Sequence, residues 1–381
     1  MRGRRGPKEG ARSMSCSEWV IVAVVVLTIT LSATSSESPS LISLPGCPES
    51  CGGIPIHYPF GVGDNCSYNK IFSITCNRTF NHPITRPIYH QNLEVLGIDL
   101  VQGQIRFSNN VSRACYKSSQ YDYTNWTTVP SFTATNFTLN PTQNMFAATG
   151  CDTVGLFAGK RSFNRTGNFG CVTVCDSPIE VDNGTCSGAG CCKLPIPDGV
   201  NSVEVTAVSL WNYTETSKEF TPCSSAFVVA TDSFNFTLAN LTTSPEEMPV
   251  SFPVVFDWTI GNQTCEVARA NGDCLCCNQR GSECIDSKLG GYLCNCSLGY
   301  SGNPYLANGC QDIDECKTGN VSPCEQRATC VNSEGSYQCQ CPKGFQGNGT
   351  TLHPCLPIQK IKQTAVNYKI IMGKALFSTS P

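Results

Sequence analysis

The segment Asp312-Ile-Asp-Glu-Cys316 begins a run of six cysteines that decides the fold of the C-terminal part of the chain. The run continues through Cys330-Val-Asn332-Ser-Glu-Gly-Ser-Tyr337-Gln-Cys339. Its cysteines are Cys316, Cys324, Cys330, Cys339, Cys341 and Cys355. A segment of about forty residues cannot enclose a sufficient apolar core, so disulfides must hold its fold together. Spacing alone leaves the choice among the possible pairings open.

The cysteine spacing resembles that of epidermal-growth-factor-like (EGF-like) modules. In that family the first cysteine usually pairs with the third, the second with the fourth and the fifth with the sixth. The resemblance therefore implies three disulfides, which are Cys316–Cys330, Cys324–Cys339 and Cys341–Cys355.

The residues around these cysteines resemble the calcium-binding variant of the same family. Its two half-motifs, Asp/Asn-x-Asp/Asn-Glu/Gln-Cys and Cys-x-Asp/Asn-x-x-x-x-Tyr/Phe-x-Cys, both match here. Calcium takes about six to eight oxygen ligands. The match implies side-chain ligands at Asp312, Glu315 and Asn332, and backbone carbonyl ligands at Ile313, Ser333 and Ser336. Asp314 fits the pattern but is expected to lie away from the ion, and an acidic solvated linker is the alternative interpretation.

The N-terminus has the order of a secretory signal peptide. Basic residues precede an apolar run from Val20 to Leu31, and small residues follow it. We expect cleavage between Ala33 and Glu37, so residues 1–36 form the signal. The run is shorter than the about 20 apolar residues of a membrane span, and an uncleaved signal anchor is the alternative.

Composition indicates an extracellular glycoprotein. The chain has 27 cysteines, and removing Cys16 with the signal leaves an even number, 26, as complete pairing in an oxidising compartment requires. Fourteen Asn-x-Ser/Thr sequons are present, at Asn65, Asn77, Asn110, Asn125, Asn136, Asn164, Asn183, Asn212, Asn235, Asn240, Asn262, Asn295, Asn320 and Asn348. The net charge of −3 argues against a nucleic-acid partner.

Three N-terminal motifs resemble the galacturonan-binding domain of plant wall-associated receptor kinases. They are Cys47-Pro-Glu-Ser-Cys51-Gly, Ile56-His-Tyr58-Pro-Phe60-Gly61 and Phe72-Ser-Ile74-Thr-Cys76. The resemblance assigns residues 47–120 to this domain. Gly188-Ala-Gly190-Cys191-Cys192 and Pro253-Val-Val-Phe-Asp257-Trp258 resemble the C-terminal associated region of the same receptors, which assigns it to residues 121–262.

The expected fold class is mainly β and disulfide-rich, with an N-terminal cysteine-rich β region followed by two tandem EGF-like modules. Alternation of apolar and polar residues predicts a strand over Phe234–Leu238. Four further segments also read as strands, which are Leu93–Leu100, Val203–Leu210, Ala226–Ala230 and Val250–Phe256. No long amphipathic helix is expected.

Pectic galacturonan, the ligand that the resemblance implies, is a polyanion and needs Arg or Lys at its site. The candidate ligand-binding residues are Lys70, Arg78, Arg86, Arg113 and Lys117, with Arg106 also basic in this region. For each of them, ordinary surface charge is the alternative. Tyr58 and Phe60 are expected in the core and not as sugar platforms.

A first EGF-like module is expected over residues 265–310, with Cys277 as the second cysteine of its frame. Cys274 and Cys276 are then additional. They could bond to each other or to the N-terminal region, or one could replace Cys277; a zinc site from all three is a weaker alternative. This module lacks the acidic preamble, so no calcium is expected in it.

The two EGF-like modules follow each other so closely that the ion would lie at their junction. Only Gln311 separates Cys310 from Asp312. Calcium there would stiffen the hinge, and Tyr300 or Tyr305 could pack across it.

The basic tail, residues 356–381, has no apolar stretch long enough to span a membrane, and the chain has no kinase motif. We therefore expect no enzyme. The predicted protein is secreted or associated with the cell wall or plasma membrane, and it binds pectic galacturonan and calcium. A membrane partner is expected only if the signal is retained or a longer form exists. The alternative function is binding of an extracellular protein partner through the EGF-like repeats.

Overall fold

The computed structural model describes residues 42–77, 85–90, 93–117, 120–122, 136–161, 165–211, 220–318 and 322–358. The predicted signal peptide and most of the basic tail lie outside these ranges. In the described part of the chain, no helix is long and apolar enough to cross a bilayer.

Short strands make up most of the described chain. The first seventeen are β1 (Ser50–Cys51), β2 (Ile54–Pro55), β3 (Gly61–Val62), β4 (Ser73–Asn77), β5 (Arg86–Tyr89), β6 (Leu93–Asp99), β7 (Gln104–Asn110), β8 (Ser112–Lys117), β9 (Gln120–Asp122), β10 (Phe137–Leu139), β11 (Asn144–Thr149), β12 (Asp152–Arg161), β13 (Arg165–Val174), β14 (Cys191–Pro195), β15 (Val200–Ser209), β16 (Cys223–Ala230) and β17 (Ser251–Trp258). The remaining eight are β18 (Ser282–Asp286), β19 (Tyr292–Cys296), β20 (Tyr300–Gly302), β21 (Cys310–Asp312), β22 (Thr329–Ser333), β23 (Ser336–Gln340), β24 (Phe345–Gln346) and β25 (Leu356–Pro357).

Helices are short in the described residues. The α-helices are α1 (Ala239–Thr242) and α2 (Cys265–Asn271), and two single 3₁₀ turns span Lys70–Phe72 and Pro178–Glu180. Thr264 caps the N-terminus of α2, and Gly272 ends it in the left-handed conformation, with φ of 77°. This agrees with the mainly β fold predicted from the sequence.

Three sheets form the N-terminal β structure. Sheet 1 has the order β10-β17-β7-β6-β5-β4-β3, sheet 2 has β14-β11-β16-β8-β9, and sheet 3 has β13-β12-β15. Strand alternation places every second side chain of β7 inside, so Ile105 and Phe107 are buried. Phe107 packs against Tyr89 with ring centroids 5.3 Å apart, on one face of sheet 1.

The ranges 47–120 and 121–262 fold as one β structure, so the boundary between them separates sequence patterns and not two folded bodies. Strand β17 from the second range pairs along its whole length with β7 from the first. The Cys115–Cys223 disulfide also joins the two ranges. Burial of the apolar strands against each other, which sequence order does not reveal, decides this arrangement.

Four of the five predicted strands are confirmed by β6, β15, β16 and β17. The prediction of a strand over Phe234–Leu238 is wrong, because this segment is irregular and leads into α1. Its alternation serves packing: Phe236 is buried in a cluster with Cys151, Cys175 and Cys191 while Asn235 stays exposed. Tyr58 and Phe60 are buried, as expected.

All 26 cysteines after Cys16 are paired. In the N-terminal β structure the pairs are Cys47–Cys66, Cys51–Cys76, Cys115–Cys223, Cys151–Cys175, Cys171–Cys192 and Cys186–Cys191. In the EGF-like modules they are Cys265–Cys284, Cys274–Cys277, Cys276–Cys294, Cys296–Cys310, Cys316–Cys330, Cys324–Cys339 and Cys341–Cys355. The last three are the pairs that the family resemblance implied.

The expected frame of the first EGF-like module, with Cys277 as second cysteine, is wrong. Cys276 takes this position and pairs with Cys294, while Cys277 pairs with Cys274. Cys276 is fully buried whereas Cys277 is half-buried, which fits the inner position for Cys276. Because these cysteines are all in disulfides, they do not form the zinc site that was the weaker alternative.

Candidate functional site

The first EGF-like module packs directly on the N-terminal β structure. Its Tyr305 ring lies 5.5 Å from the ring of Trp258, and both side chains are buried. The Asn303 side chain, also buried, donates to the carbonyl oxygens of Ile42 at 3.1 Å and Tyr58 at 2.8 Å. These contacts form the first junction.

Backbone pairing extends the same junction. Ile260 and Tyr292 exchange two backbone hydrogen bonds, of 2.8 and 3.1 Å. The Leu293 side chain packs on Gly103, where a Cβ atom would approach it to 2.6 Å. Tyr305 therefore belongs to this junction, which leaves Tyr300 as the candidate for the junction between the two EGF-like modules.

The second junction, between the two EGF-like modules, lies around Tyr300. The Tyr300 ring covers Gly335 so closely that a Cβ there would lie 2.9 Å from its Cε2 atom. Ile313 donates its backbone N–H to the Gly299 carbonyl at 2.8 Å, and Arg280 forms an ion pair with Glu334. Tyr300 thus packs across this junction, as expected from the sequence.

The predicted calcium ligands begin at the same place. Asp312 ends β21, and its Oδ2 atom accepts a hydrogen bond from Asn332 Nδ2 on β22 at 2.7 Å. Its Oδ1 atom accepts from the Gly335 backbone N–H at 2.5 Å. The Gly335 and Asn332 hydrogen bonds hold the pKa of Asp312 below its usual value. Two of the three predicted side-chain ligands are therefore in direct contact.

Two neighbouring carboxylates offer oxygen atoms for a cation. Among the described residues, neither Glu315 Oε2 nor Asp314 Oδ1 has a hydrogen-bond partner, although both atoms are buried. Such atoms are costly unless a donor or a cation reaches them. The other oxygen of Asp314 lies 2.8 Å from Lys317 Nζ. That Asp314 lies away from the ion stays a prediction. The donor set of oxygens suits calcium.

The remaining predicted ligands are backbone carbonyls. Ser333 and Ser336 face each other at the end of the β22–β23 hairpin, and Ser333 Oγ donates to the Ser336 carbonyl at 2.9 Å. That carbonyl retains a second lone pair for a cation. Asn332 now presents its amide nitrogen to Asp312, so it would bind an ion after turning its Oδ1 atom inward.

In the first EGF-like module, Asp286 occupies the position that corresponds to Asn332, and its carboxylate already accepts a hydrogen bond. Asp286 Oδ1 accepts the backbone N–H of Cys265 at 2.6 Å. This hydrogen bond fastens the start of α2 to β18. That this module binds no calcium stays a prediction.

Two of the arginines in the predicted galacturonan-binding region share one face of sheet 1. Arg86 and Arg106 both point away from the Tyr89–Phe107 side, by strand alternation. Arg106 lies opposite Gly97 in the β6–β7 pairing, and continuing the β5–β6 pairing brings Arg86 level with Leu96. Two strand spacings then separate the two backbones by about 10 Å.

Each of these arginines has one acidic partner. Arg86 Nη1 lies 3.0 Å from Glu94 Oε2, and Arg106 Nη2 lies 2.5 Å from Asp232 Oδ2. The Arg106 hydrogen bond lowers the pKa of Asp232. The pairs are partly exposed, so a polyanion could replace the acids. Sequence reasoning found the arginines but had no signal for these partners.

Arg113 is engaged elsewhere. It lines a small surface cleft together with Phe234, Asn240 and other side chains. Its guanidinium donates to the carbonyl oxygens of Pro245 at 3.4 Å and Pro249 at 2.7 Å, and burial lowers its pKa. These bonds give Arg113 a structural role in fixing the 245–249 segment.

Of the remaining sugar candidates, only Lys70 has a side chain among those that the structure describes. Lys70 is exposed on the 3₁₀ turn Lys70–Phe72. Arg78 lies outside the described residues, and so does the side chain of Lys117.

The sequons differ in their access. Asn136 uses its side-chain amide in hydrogen bonds to the Thr259 and Gly261 carbonyls, at 3.0 and 2.9 Å, so in the folded chain it has no free amide hydrogen for a glycan. The sequons at Asn125, Asn164, Asn212 and Asn320 lie outside the described residues.

Family comparisons agree with both resemblances. Residues 47–109 match the wall-associated receptor kinase galacturonan-binding family, and residues 312–355 match the calcium-binding EGF domain family. Wall-associated receptor kinase 2 of Arabidopsis thaliana is 37% identical over 303 residues, which cover 76% of this chain and 37% of that protein. The chain is homologous to wall-associated receptor kinase ectodomains. Wall-associated receptor kinase 1 of Arabidopsis thaliana is 35% identical over 307 residues, covering 76% of this chain and 38% of that protein.

The chain thus spans less than two fifths of the length of these two relatives. The two ranges matched by the family comparisons contain the arginine pair of sheet 1 and Asp312, respectively. Both matched families are binding domains by their descriptions.

Proposed function

We propose that the chain is an extracellular binding protein that takes pectic galacturonan on its N-terminal β structure and holds calcium in its last module. The match of residues 47–109 to the galacturonan-binding family carries the first part of this proposal. The complete pairing of 26 cysteines supports an oxidising, extracellular location.

For the polysaccharide, the proposed contact surface is the face of sheet 1 that carries Arg86 and Arg106. Guanidinium groups recognise carboxylates through paired hydrogen bonds, and a row of cations suits a chain of uronate carboxylates. The acids Glu94 and Asp232 would give up their arginines to the ligand. Exchange of one carboxylate partner for another keeps the arginines paired at each stage.

The test measures binding of short oligogalacturonides to the full secreted chain, by calorimetry in chelator so that calcium cannot link ligand and protein carboxylates. We expect the double variant Arg86→Ala/Arg106→Ala to bind about tenfold more weakly, as for the loss of two partly exposed charge pairs. Lys288→Ala/Lys343→Ala removes the same charge at exposed positions in the EGF-like modules and should bind normally. Glu94→Gln frees Arg86 and should strengthen binding.

Equal weakening by both double variants would reduce the interaction to net charge and contradict the proposed surface. No binding of any oligogalacturonide by the folded chain would contradict the polysaccharide assignment and favour a protein partner for the EGF-like repeats.

For calcium, the proposed ligands are Asp312, Glu315 and Asn332 with the carbonyls of Ile313, Ser333 and Ser336. The ion would bind beside Tyr300 and stiffen the second junction. Affinity in the range of about 10⁻⁴–10⁻³ M is typical of extracellular modules. Calorimetric titration of the folded chain should show one site in this range, which Glu315→Gln abolishes while Glu325→Gln, in the same module, retains it. An unchanged titration in Glu315→Gln would contradict the site, and small-angle scattering with no change in extension on adding chelator would contradict the stiffening.

A further inference from the structure

A disulfide outside the usual EGF-like frame occupies an unusual place in the first module. Cys274 and Cys277 close a loop of sequence separation 3, within the motif Cys274-Leu-Cys276-Cys277. The three bridges of the EGF-like frame remain complete without it. A bond that closes so short a loop adds little constraint to the unfolded chain, so its loss costs the fold little.

A second disulfide lies within reach of this one. The Sγ atoms of Cys274, Cys277 and Cys284 all lie within 4.8 Å of one another. Cys284 is bonded to Cys265, the first residue of α2. The Sγ atom of Cys277 is also 3.8 Å from the Cys265 carbonyl oxygen. A thiolate formed at the first disulfide is therefore placed beside the sulfur of the second.

Access and local polarity favour reaction at the short loop. Cys274, Cys277 and Cys284 are all half-buried, so a small dithiol can approach them. The backbone N–H of Cys277 donates to Cys274 Sγ at 3.1 Å, and such a donor stabilises negative charge on that sulfur. In the other short loop, Cys186–Cys191, the Cys191 side chain is fully buried.

We propose that Cys274–Cys277 is a thiol–disulfide exchange site whose substrate class is a dithiol reductant, and that its reduction is passed on to Cys265–Cys284. Thiolate attack on Cys277 Sγ breaks the short-loop bond and releases Cys274 as the thiolate. The second thiol of the reductant then displaces Cys277, leaving the reductant oxidised to a disulfide and the protein with two thiols.

The second step conserves the number of thiols. The Cys274 thiolate attacks Cys284 Sγ, a Cys274–Cys284 bond forms, and Cys265 leaves as a thiolate that takes up a proton. Cys265 and Cys277 are then the two free thiols. Since Cys265 begins α2, this exchange releases the helix from β18.

The position of the loop connects this exchange to the first junction. Leu275 donates its N–H to the Tyr292 hydroxyl at 3.0 Å, and that hydroxyl donates to the Asp273 carbonyl at 3.2 Å. The backbone of Tyr292 is the strand partner of Ile260 in the N-terminal β structure. Redox state at the loop is therefore coupled through one tyrosine to the contact between module and sheet.

The test is stepwise reduction of the full secreted chain with dithiothreitol, alkylation at each step and mapping by mass spectrometry. We expect the first alkylation, at about tenfold lower reductant than opens the Cys186–Cys191 pair, on Cys277 together with either Cys274 or Cys265. Label on Cys265 and a Cys274–Cys284 linked peptide should follow at the same step. First opening of another disulfide, or label confined to Cys274 and Cys277, would overturn the proposal.

Variants separate exchange from simple exposure. Cys277→Ser leaves Cys274 as a thiol without any reductant, so the Cys274–Cys284 bond and a free Cys265 should form spontaneously. In Cys274→Ser/Cys277→Ser the Cys265–Cys284 bond should resist the low reductant concentration that opens it in the wild type. An intact Cys265–Cys284 bond in folded Cys277→Ser would contradict the exchange step. If the variants do not fold, the order of alkylation in the wild-type chain tests the exchange.

Discussion

The two junctions, between the β structure and the first EGF-like module and between the two EGF-like modules, are held by different kinds of interaction. At the first, the buried rings of Trp258 and Tyr305 pack against each other. The Asn303 side chain donates hydrogen bonds to the carbonyl oxygens of Ile42 and Tyr58. At the second, the Tyr300 ring covers Gly335, and the Asp312 carboxylate accepts a hydrogen bond from Asn332. Apolar burial holds the first junction at any calcium concentration, whereas the second has polar groups that an ion would complete.

This difference shows that the first EGF-like module is packed into one body with the N-terminal β structure, whereas the last module adjoins it through fewer and more polar contacts. A binding fragment cut at Ile260 would leave Trp258 without its covering ring and Ile260 without its strand partner. Experiments on polysaccharide binding should therefore keep residues up to Cys310. We expect single contacts at the first junction to contribute more to the free energy of unfolding than those at the second.

The largest effect is expected at the first junction. Trp258→Ala removes a fully buried side chain packed against Phe60, Phe72 and Tyr305, and should reduce the free energy of unfolding by about 3–5 kcal/mol. Denaturant unfolding of the oxidised chain measures it. Trp211→Ala, at a side chain that is 55% exposed, is the control and should change stability by less than about 0.5 kcal/mol. Equal losses in the two variants would contradict the importance of this contact.

A smaller effect is expected from the polar contact of the same junction. Asn303→Ala leaves the Ile42 and Tyr58 carbonyls without their donor and should cost about 2 kcal/mol. Proteolysis between the β structure and the first EGF-like module should accelerate. Asn308→Gly, at an exposed turn position of the same loop with φ of 55°, controls for the loss of an amide without straining the backbone. A protease-resistant Asn303→Ala chain would show that the ring contact alone holds the junction.

At the second junction, Gly335→Ala should cost about 1–2 kcal/mol, because the new Cβ meets the Tyr300 ring and because φ at this position is 73°. The double variant Gly335→Ala/Tyr300→Ala removes the clash and should regain part of the loss. Stability measured in chelator isolates the contact from the ion. If the double variant regains nothing, the backbone angle and not the ring accounts for the cost.

The smallest effect is a pH dependence. The pKa of Asp312 is lowered by its hydrogen bonds to Gly335 and Asn332, so their contribution is complete above the ordinary aspartate range and is lost as the pH falls through the lowered value. The protection factor of the Gly335 amide, which is its exchange rate corrected for the intrinsic pH dependence, should therefore fall only in strong acid. Asp312→Asn should show no such transition, and a transition near neutral pH would assign the effect to another group.

The disulfides of the second EGF-like module could be predicted from the sequence because its six cysteines match the six positions of the family pattern one to one. In the first module Cys276 and Cys277 are adjacent, so spacing could not choose between them, and burial did. Pairing of β7 with β17 depends on contacts between distant residues, which local alternation does not report. For the same reason the arginines of sheet 1 were found as charges, but not as neighbours with their own acids.

The Cys115–Cys223 disulfide has a consequence for biosynthesis. Its cysteines are 108 residues apart, which ribosomes take about 5–20 s to synthesise. During that delay six other cysteines enter the secretory lumen before Cys223, and each is a possible wrong partner for Cys115. Strand β17, which completes sheet 1, is made later still. Secretion yield should therefore depend on disulfide isomerase capacity in the host more than on the rate of translation.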